Sequence, residues 1–267
     1  MNVVILTRNE PSHKYFRLFI SNFSEINVIA SFCETNEKSL ENRLKANPNS
    51  SNLENLHVYA RKQSEIDFFG ESINYLPEKS NPKFINKGGI NNKEIVEEII
   101  NIDADLLVCY GSSLIRSELI KVYKGKFLNV HLGLSPYYRG SGTNIWPLIN
   151  DEPDRVGATF MHIDEGIDTG TIIHQIKADF FLGDNPHTLG NRLIKKMTKV
   201  YAELIQKFSN LENMKQINVK GLLYKQKDFN EEACRKLYDQ FNKGLVEKFL
   251  NKEYSKTFII QNPGLSK

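Results

Sequence analysis

The sequence predicts an α/β fold built around a mostly parallel sheet, and three observations predict it. The apolar run at 2–6 reads as a strand buried on both faces, as strands of parallel sheets are. An amphipathic stretch over 12–23 follows, and a second apolar run at 26–32 completes a strand–helix–strand unit. The unbroken apolar run Leu106–Tyr110, ended by Gly111, supplies a further buried strand.

Each element has its own signal. Pro11 favours a helix start, and Tyr15, Phe16, Phe19 and Phe23 recur at helical spacing. Residues 34–62 are polar and rich in Asn, Ser and Lys, with Leu40, Leu44, Leu53 and Leu56 sparse among them. That stretch reads either as a helix plus a mobile lid or substrate loop, or as a solvated insertion. A short strand at 84–85 precedes a helix over 92–100, whose Ile95, Val96, Ile99 and Ile100 share a face. Phe127–His131 is a strand, and residues 143–150 form a helix that places Trp146 in the core. Strands at 156–162 and 171–177 are joined by the acidic loop 164–170. Leu189, Leu193, Met197, Val200 and Leu204 mark a long helix over 188–208. Residues 221–229 and a helix over 231–250 form a C-terminal extension, so the chain divides into a domain 1–210 and an extension 211–267. In that last helix Leu237, Phe241, Leu245 and Phe249 make a stripe, either a packing face or a homodimer contact.

Composition narrows the classes. At 267 residues the chain affords a sizeable core, and 40% apolar with 25% charged residues is ordinary for a globular protein. A net charge of +3 lacks the concentrated basic stripe of a nucleic-acid binder. Cys33, Cys109 and Cys234 are far apart and form no CxxC pair, which argues against a zinc site or disulfide framework. The first apolar run is too short for a signal peptide, and no run approaches the ~20 residues of a membrane span. The expectation is a cytoplasmic protein with no membrane partner. Neither GxGxxG nor a Walker lysine motif is present, so the usual nucleotide phosphate loops are missing.

The chemistry concentrates in two segments. Asn129 and His131 lie two apart on one strand, so both project to one face at its C-terminal end. Asn offers an amide N–H to a developing oxyanion, and His donates or exchanges protons near neutral pH. Asp168 sits in a loop bracketed by Gly166 and Gly170, which permit unusual backbone angles. A carboxylate there would orient an imidazole and accept a proton; a plain turn aspartate is the alternative. Asp164 and Glu165 shape the same loop. Arg139 either binds a phosphate of an acceptor or only stabilises its own loop.

Asn129-x-His131, the following Pro136-x-x-Arg139-Gly140 and the distant Asp168-x-Gly170 together resemble the signature of the folate-dependent formyltransferases. That family includes enzymes acting on methionyl-tRNA, glycinamide ribonucleotide and nucleotide-linked amino sugars. The likeness is strongest over 106–175. It departs at Gly133, where the family has serine, and at Ser135, which directly precedes Pro136. The resemblance implies a Rossmann-like formyltransferase domain, 10-formyltetrahydrofolate as co-substrate and no metal. It implies Asn129, His131 and Asp168 as catalytic residues. It assigns the pterin to backbone groups of two loops: Tyr110, Gly111, Ser112, Ser113, Leu114 and Ile115, and Asp164, Glu165, Gly166 and Ile167. The segment after Phe208 is too short for a tRNA-binding barrel, and glycinamide ribonucleotide enzymes lack such an extension. A nucleotide-linked amino sugar is therefore the expected acceptor. The alternatives are the other two acceptors, a formyltetrahydrofolate hydrolase, or a folate- or sugar-binding module without catalysis. The hydrolase carries an added N-terminal domain where this chain starts at its first strand. The non-catalytic module predicts loss of one of the three residues.

Overall fold

The computed structural model describes residues 1–37, 40–47, 50–251, 254 and 257–267. Its frame is a seven-stranded sheet. In chain order the elements begin β1 (Asn2–Arg8), α1 (Pro11–Ser21), β2 (Asn27–Glu34), α2 (Leu40–Ala46), α3 (Asn52–Tyr75), β3 (Pro82–Ile85), α4 (Lys93–Ile102) and β4 (Leu106–Tyr110). They continue with α5 (Ser117–Val122), β5 (Phe127–His131), β6 (Tyr138–Gly140), α6 (Trp146–Ile149), β7 (Gly157–His162), β8 (Ile172–Lys177), α7 (Pro186–Gln206), β9 (Leu222–Tyr224), α8 (Glu231–Asn242) and α9 (Leu245–Leu250). The sheet order is β3-β2-β1-β4-β5-β7-β8. Its first five strands run parallel, while β7 pairs antiparallel with both β5 and β8.

Strand alternation divides the core in two. Val3, Ile5, Leu106 and Val108 enter one cluster with residues of α1, α3 and α7. Val4, Leu6, Leu107 and Cys109 enter a second cluster with residues of α4 and α5. Successive side chains of a strand point to opposite faces, so a strand covered on both sides is apolar throughout. Each fully buried Ile, Leu or Val contributes about 1.5–3 kcal/mol.

The stretch 34–62, expected as a helix plus a mobile loop or as a solvated insertion, is mostly helix. Residues 38–39 and 48–49 of it lie outside the described residues. A capping box starts α3: Ser51 Oγ accepts from the Glu54 N–H at 3.2 Å, and Glu54 Oε2 accepts from the Ser51 N–H at 3.1 Å. The helix then runs on to Tyr75, well past 62, and packs on α1 and α7. Its buried face consists of His57, Glu65 and Phe69. So few apolar letters give weak helical periodicity, which is why the sequence did not reveal its length.

The C-terminal stripe is a packing face. Leu237 and Leu245 are buried in the first core cluster, with Phe241 and Phe249 packed against it. The expected single helix breaks at Gly244, whose φ of 77° ends α8 and opens α9. One strand was not expected: β6, which pairs in parallel with β9 as a separate ribbon. The helix expected over 143–150 is confined to Trp146–Ile149. The three cysteines are buried free thiols, and burial pushes Cys33 and Cys234 each up to about 11. Among the described residues no helix is long and apolar enough to cross a membrane.

Candidate active site

A cleft of about 830 Å³ opens along the C-terminal edge of the parallel strands. That is the edge where open α/β sheets bind ligands, and the volume suits a small-molecule site. Asn129 and His131 reach it from the end of β5, beside Tyr110 at the end of β4. Asp168 reaches it from the loop between β7 and β8. The three residues expected from the motifs therefore line one cavity.

His131 sits between two acceptors. Its Nδ1 lies 3.3 Å from Asp168 Oδ2, and its Nε2 lies 3.0 Å from the Tyr138 carbonyl oxygen. A carbonyl only accepts, so Nε2 carries a hydrogen here. The backbone N–H of Gly140 donates to the same Asp168 Oδ2 at 2.8 Å. Strand β6 thus clamps the pair, with Tyr138 holding the imidazole and Gly140 holding the carboxylate.

The loop backbone fixes Asp168 in an unexpected way. The glycines were expected to take the unusual angles, yet Asp168 itself has φ of 53°. Asp tolerates this left-handed region better than most side chains. Gly170 serves close approach instead, because a Cβ there would fall on the His162 carbonyl oxygen. Gln216 Nε2 donates to the carbonyls of Asp168 and Gly170, both at 2.9 Å. Asp164 accepts from Thr169 Oγ1 at 2.8 Å and from the Gly166 N–H at 3.1 Å. Asp164 thus shapes the loop.

Gly133, the departure from the family pattern, lies against the imidazole. A Cβ there would stand 2.6 Å from His131 Nε2 and 2.7 Å from Thr143 Cβ. Thr143 Oγ1 donates to the Leu132 carbonyl at 2.7 Å, which holds that loop closed on the ring.

Most of the expected binding residues also line the cleft: Tyr110, Gly111, Ser112, Ser113, Leu114, Ile115, Asp164, Gly166 and Ile167. The segment after Tyr110 is irregular, and the next helix starts only at Ser117. Glu165 is exposed and Arg139 is half-buried in β6; neither is among the cleft-lining residues.

Several lining residues carried no signal in the sequence. Arg8 ends β1, His13 lies on α1, His57 and Arg61 on α3, His187 on α7, and Lys87 follows β3. Apart from His57 and Arg61, four apart on α3, they come from separate elements, so no spacing links them. Tyr238 of α8 ties part of this wall together, with its hydroxyl 3.0 Å from His57 Nδ1 and 3.2 Å from His187 Nε2. Burial holds His57 down at about 3 and His187 at about 4. Tyr224, Gln226 and Phe229, from the C-terminal extension, close this end of the cleft.

The sequence matches the family model described as formyl transferase over residues 23–205. It is 32% identical over 116 residues to a methionyl-tRNA formyltransferase of Clostridioides difficile (strain 630), covering 43% of this chain and 36% of that protein. The match thus spans well under two thirds of that relative. A sugar N-formyltransferase from Shewanella sp FDAARGOS_354 superimposes with a TM-score of 0.57 at 20% identity, covering 86% of this chain and 78% of the other. The formyltransferase PseJ from Anoxybacillus kamchatkensis, in complex with UDP-4,6-dideoxy-4-formamido-L-AltNAc and tetrahydrofolate, gives a TM-score of 0.52 at 18% identity, covering 89% and 97%. At these identities the likeness to the two structures is one of fold.

Proposed function

We propose, from the premise that this chain belongs to the formyl transferase family, that its cleft transfers a formyl group from 10-formyltetrahydrofolate to a primary amine. The observation that carries the reading is the convergence of Asn129, His131 and Asp168, with imidazole and carboxylate 3.3 Å apart. The amine nitrogen attacks the formyl carbon and gives a tetrahedral oxyanion. Asn129 donates its amide N–H to that oxygen, and protonated His131 shares its Nε2 hydrogen between the oxyanion and the Tyr138 carbonyl. An imidazolium donates to both flanking acceptors, whereas a neutral ring would set a lone pair against Asp168. Asp168 takes the proton lost by the amine, through water. The bond from carbon to N10 then breaks and N10 takes up a proton, so proton gain and loss balance. The products are a formamide and tetrahydrofolate.

The pterin lies between the 110–115 turn and the 164–167 loop, most of whose residues line the cleft. The acceptor is a nucleotide-linked amino sugar. Two features support this: Tyr224, Gln226 and Phe229 of the C-terminal segment help to build the cleft wall, and the neighbouring PseJ structure holds a UDP-linked formamido sugar. The test is incubation with 10-formyltetrahydrofolate and a panel of amino-sugar nucleotides, glycinamide ribonucleotide and methionyl-tRNA, read as added formyl mass. Formylation of an amino-sugar nucleotide is the expected result. Formylation of methionyl-tRNA alone overturns the acceptor and keeps the chemistry; no formylated product at all overturns both.

A further inference from the structure

Arg8 stands directly opposite Glu34 in the register of β1 and β2, yet makes no ion pair with it. Glu34 is already committed. It accepts from Lys87 Nζ at 3.1 Å, from the Gly88 N–H at 2.8 Å and from the Ser113 N–H at 2.7 Å. Arg61, the third cation of this end of the cleft, is also paired, with Nε 3.0 Å from Glu65 and Nη2 3.6 Å from Glu10. Arg8 has no carboxylate within ion-pair distance among the described residues, and its buried Nε has no hydrogen-bond partner there. A half-buried guanidinium that lines a cleft, lacks a partner and neighbours a saturated glutamate is built to receive an anion from outside.

We propose that Arg8 is the anion anchor of the cleft and holds a phosphoryl group of the acceptor, with Lys87 and Arg61 beside it. The inference rests on the reading of the cleft as an acceptor site. Position supports it. Thr7, the residue before Arg8, pairs with Tyr110 of β4, whose Cys109 pairs with Asn129 of β5. Arg8 therefore lies two strand spacings, about 10 Å, from the reacting centre. That gap accommodates a sugar ring between the amine and a phosphate. The guanidinium fork matches two phosphoryl oxygens, which a lysine cannot do. Burial, then the field of Arg8, Arg61 and Lys87, hold His13 at about 3 against the pull of Glu10. His13 thus stays neutral and leaves the anion to the three fixed cations.

The test is calorimetric titration of the full chain with inorganic pyrophosphate, and separately with tetrahydrofolate. The wild-type chain should bind pyrophosphate saturably. Arg8→Gln should weaken that binding about tenfold to hundredfold while tetrahydrofolate affinity is kept. Lys196→Gln, a control away from the cleft lining whose ammonium bonds Asp179 and the Lys177 carbonyl, should change neither. Unaltered pyrophosphate affinity in Arg8→Gln, or no saturable wild-type binding, overturns the proposal. If Arg8→Gln does not fold, phenylglyoxal modification of the wild-type chain carries the test. Pyrophosphate should then protect Arg8, as read by mass spectrometry, and absence of protection overturns the proposal. Pyrophosphate binding without tetrahydrofolate binding would keep the anion site and defeat the formyl-transfer reading; the reverse would defeat the anion site alone.

Discussion

His131 has both ring nitrogens engaged, by Asp168 at 3.3 Å and by the Tyr138 carbonyl at 3.0 Å. In the proposed reaction, His131→Ala removes a donor to the oxyanion. Turnover should fall by about 10² or more with the fold kept; near-normal turnover in a folded variant would sink the assignment. Asp168→Asn keeps the shape but not the charge, and Asn also tolerates the left-handed φ. Turnover should collapse while tetrahydrofolate affinity changes little. Persistent turnover with only a lower Tm would make Asp168 a turn residue. Gly133→Ala places a methyl against His131 Nε2 and Thr143. The crowding should cost about 1–3 kcal/mol of stability and displace the imidazole, so a wild-type Tm together with wild-type turnover would contradict the packing. The side chains of this site were legible because each sits in a compact motif, an Asn-x-His on a strand and an Asp in a glycine-bracketed loop. The Tyr138 carbonyl and the Gly140 N–H were not, because backbone groups leave no letter in the sequence. Arg8 was equally hidden, since only the folded register shows that Glu34 is already taken.

Helix α3 brings buried imidazoles into play. His57 is held at about 3 and His187 at about 4, against an ordinary 6.5, chiefly by burial. The folded values lie below the unfolded one, so at acid pH the unfolded chain binds protons that the folded chain refuses. Stability should be flat above pH 7, begin to fall below about 6.5, and go on falling toward 4 and then 3. His57→Phe removes one such group while Tyr238 keeps His187. The plot of Tm against pH should become shallower in that window; an unaltered slope would show that His57 does not contribute. The same helix shows where sequence reading ran out. β1, α1, β2, β4, β5 and α7 were legible because each carries an apolar run or stripe. The face that α3 buries holds His57, Glu65 and Phe69, which no hydrophobic period reports. β6 was missed for another reason: it is three residues long, and its pairing with β9 joins distant parts of the chain.

At the scale of the whole molecule, the segment expected as an appended extension, 211–267, is packed into the domain it follows. Leu237, Leu245, Val246 and Leu265 share a core cluster with Val3 and Ile5 of the first strand. The tail lies along the sheet's outer strand β8: the Gln175 N–H donates to the Ile260 carbonyl at 2.7 Å, and the Ile260 N–H donates back to Gln175 Oε1 at 3.0 Å. The Asn262 N–H donates to His174 Nδ1 at 3.0 Å. Removing 211–267 would strip partners from β8 and bare the apolar surface under those four side chains. At about 1.5–3 kcal/mol for each buried side chain, the loss is roughly 6–12 kcal/mol. That equals most of the ~5–15 kcal/mol by which a native domain is stable. A chain ending at residue 210 should therefore lose its cooperative transition in urea and its near-ultraviolet circular dichroism, even where helical signal survives. A truncated chain that melted cooperatively near the full-length Tm would show that the extension is dispensable to the fold. The cleft wall formed by Tyr224, Gln226 and Phe229 would then be an addition to a self-sufficient domain.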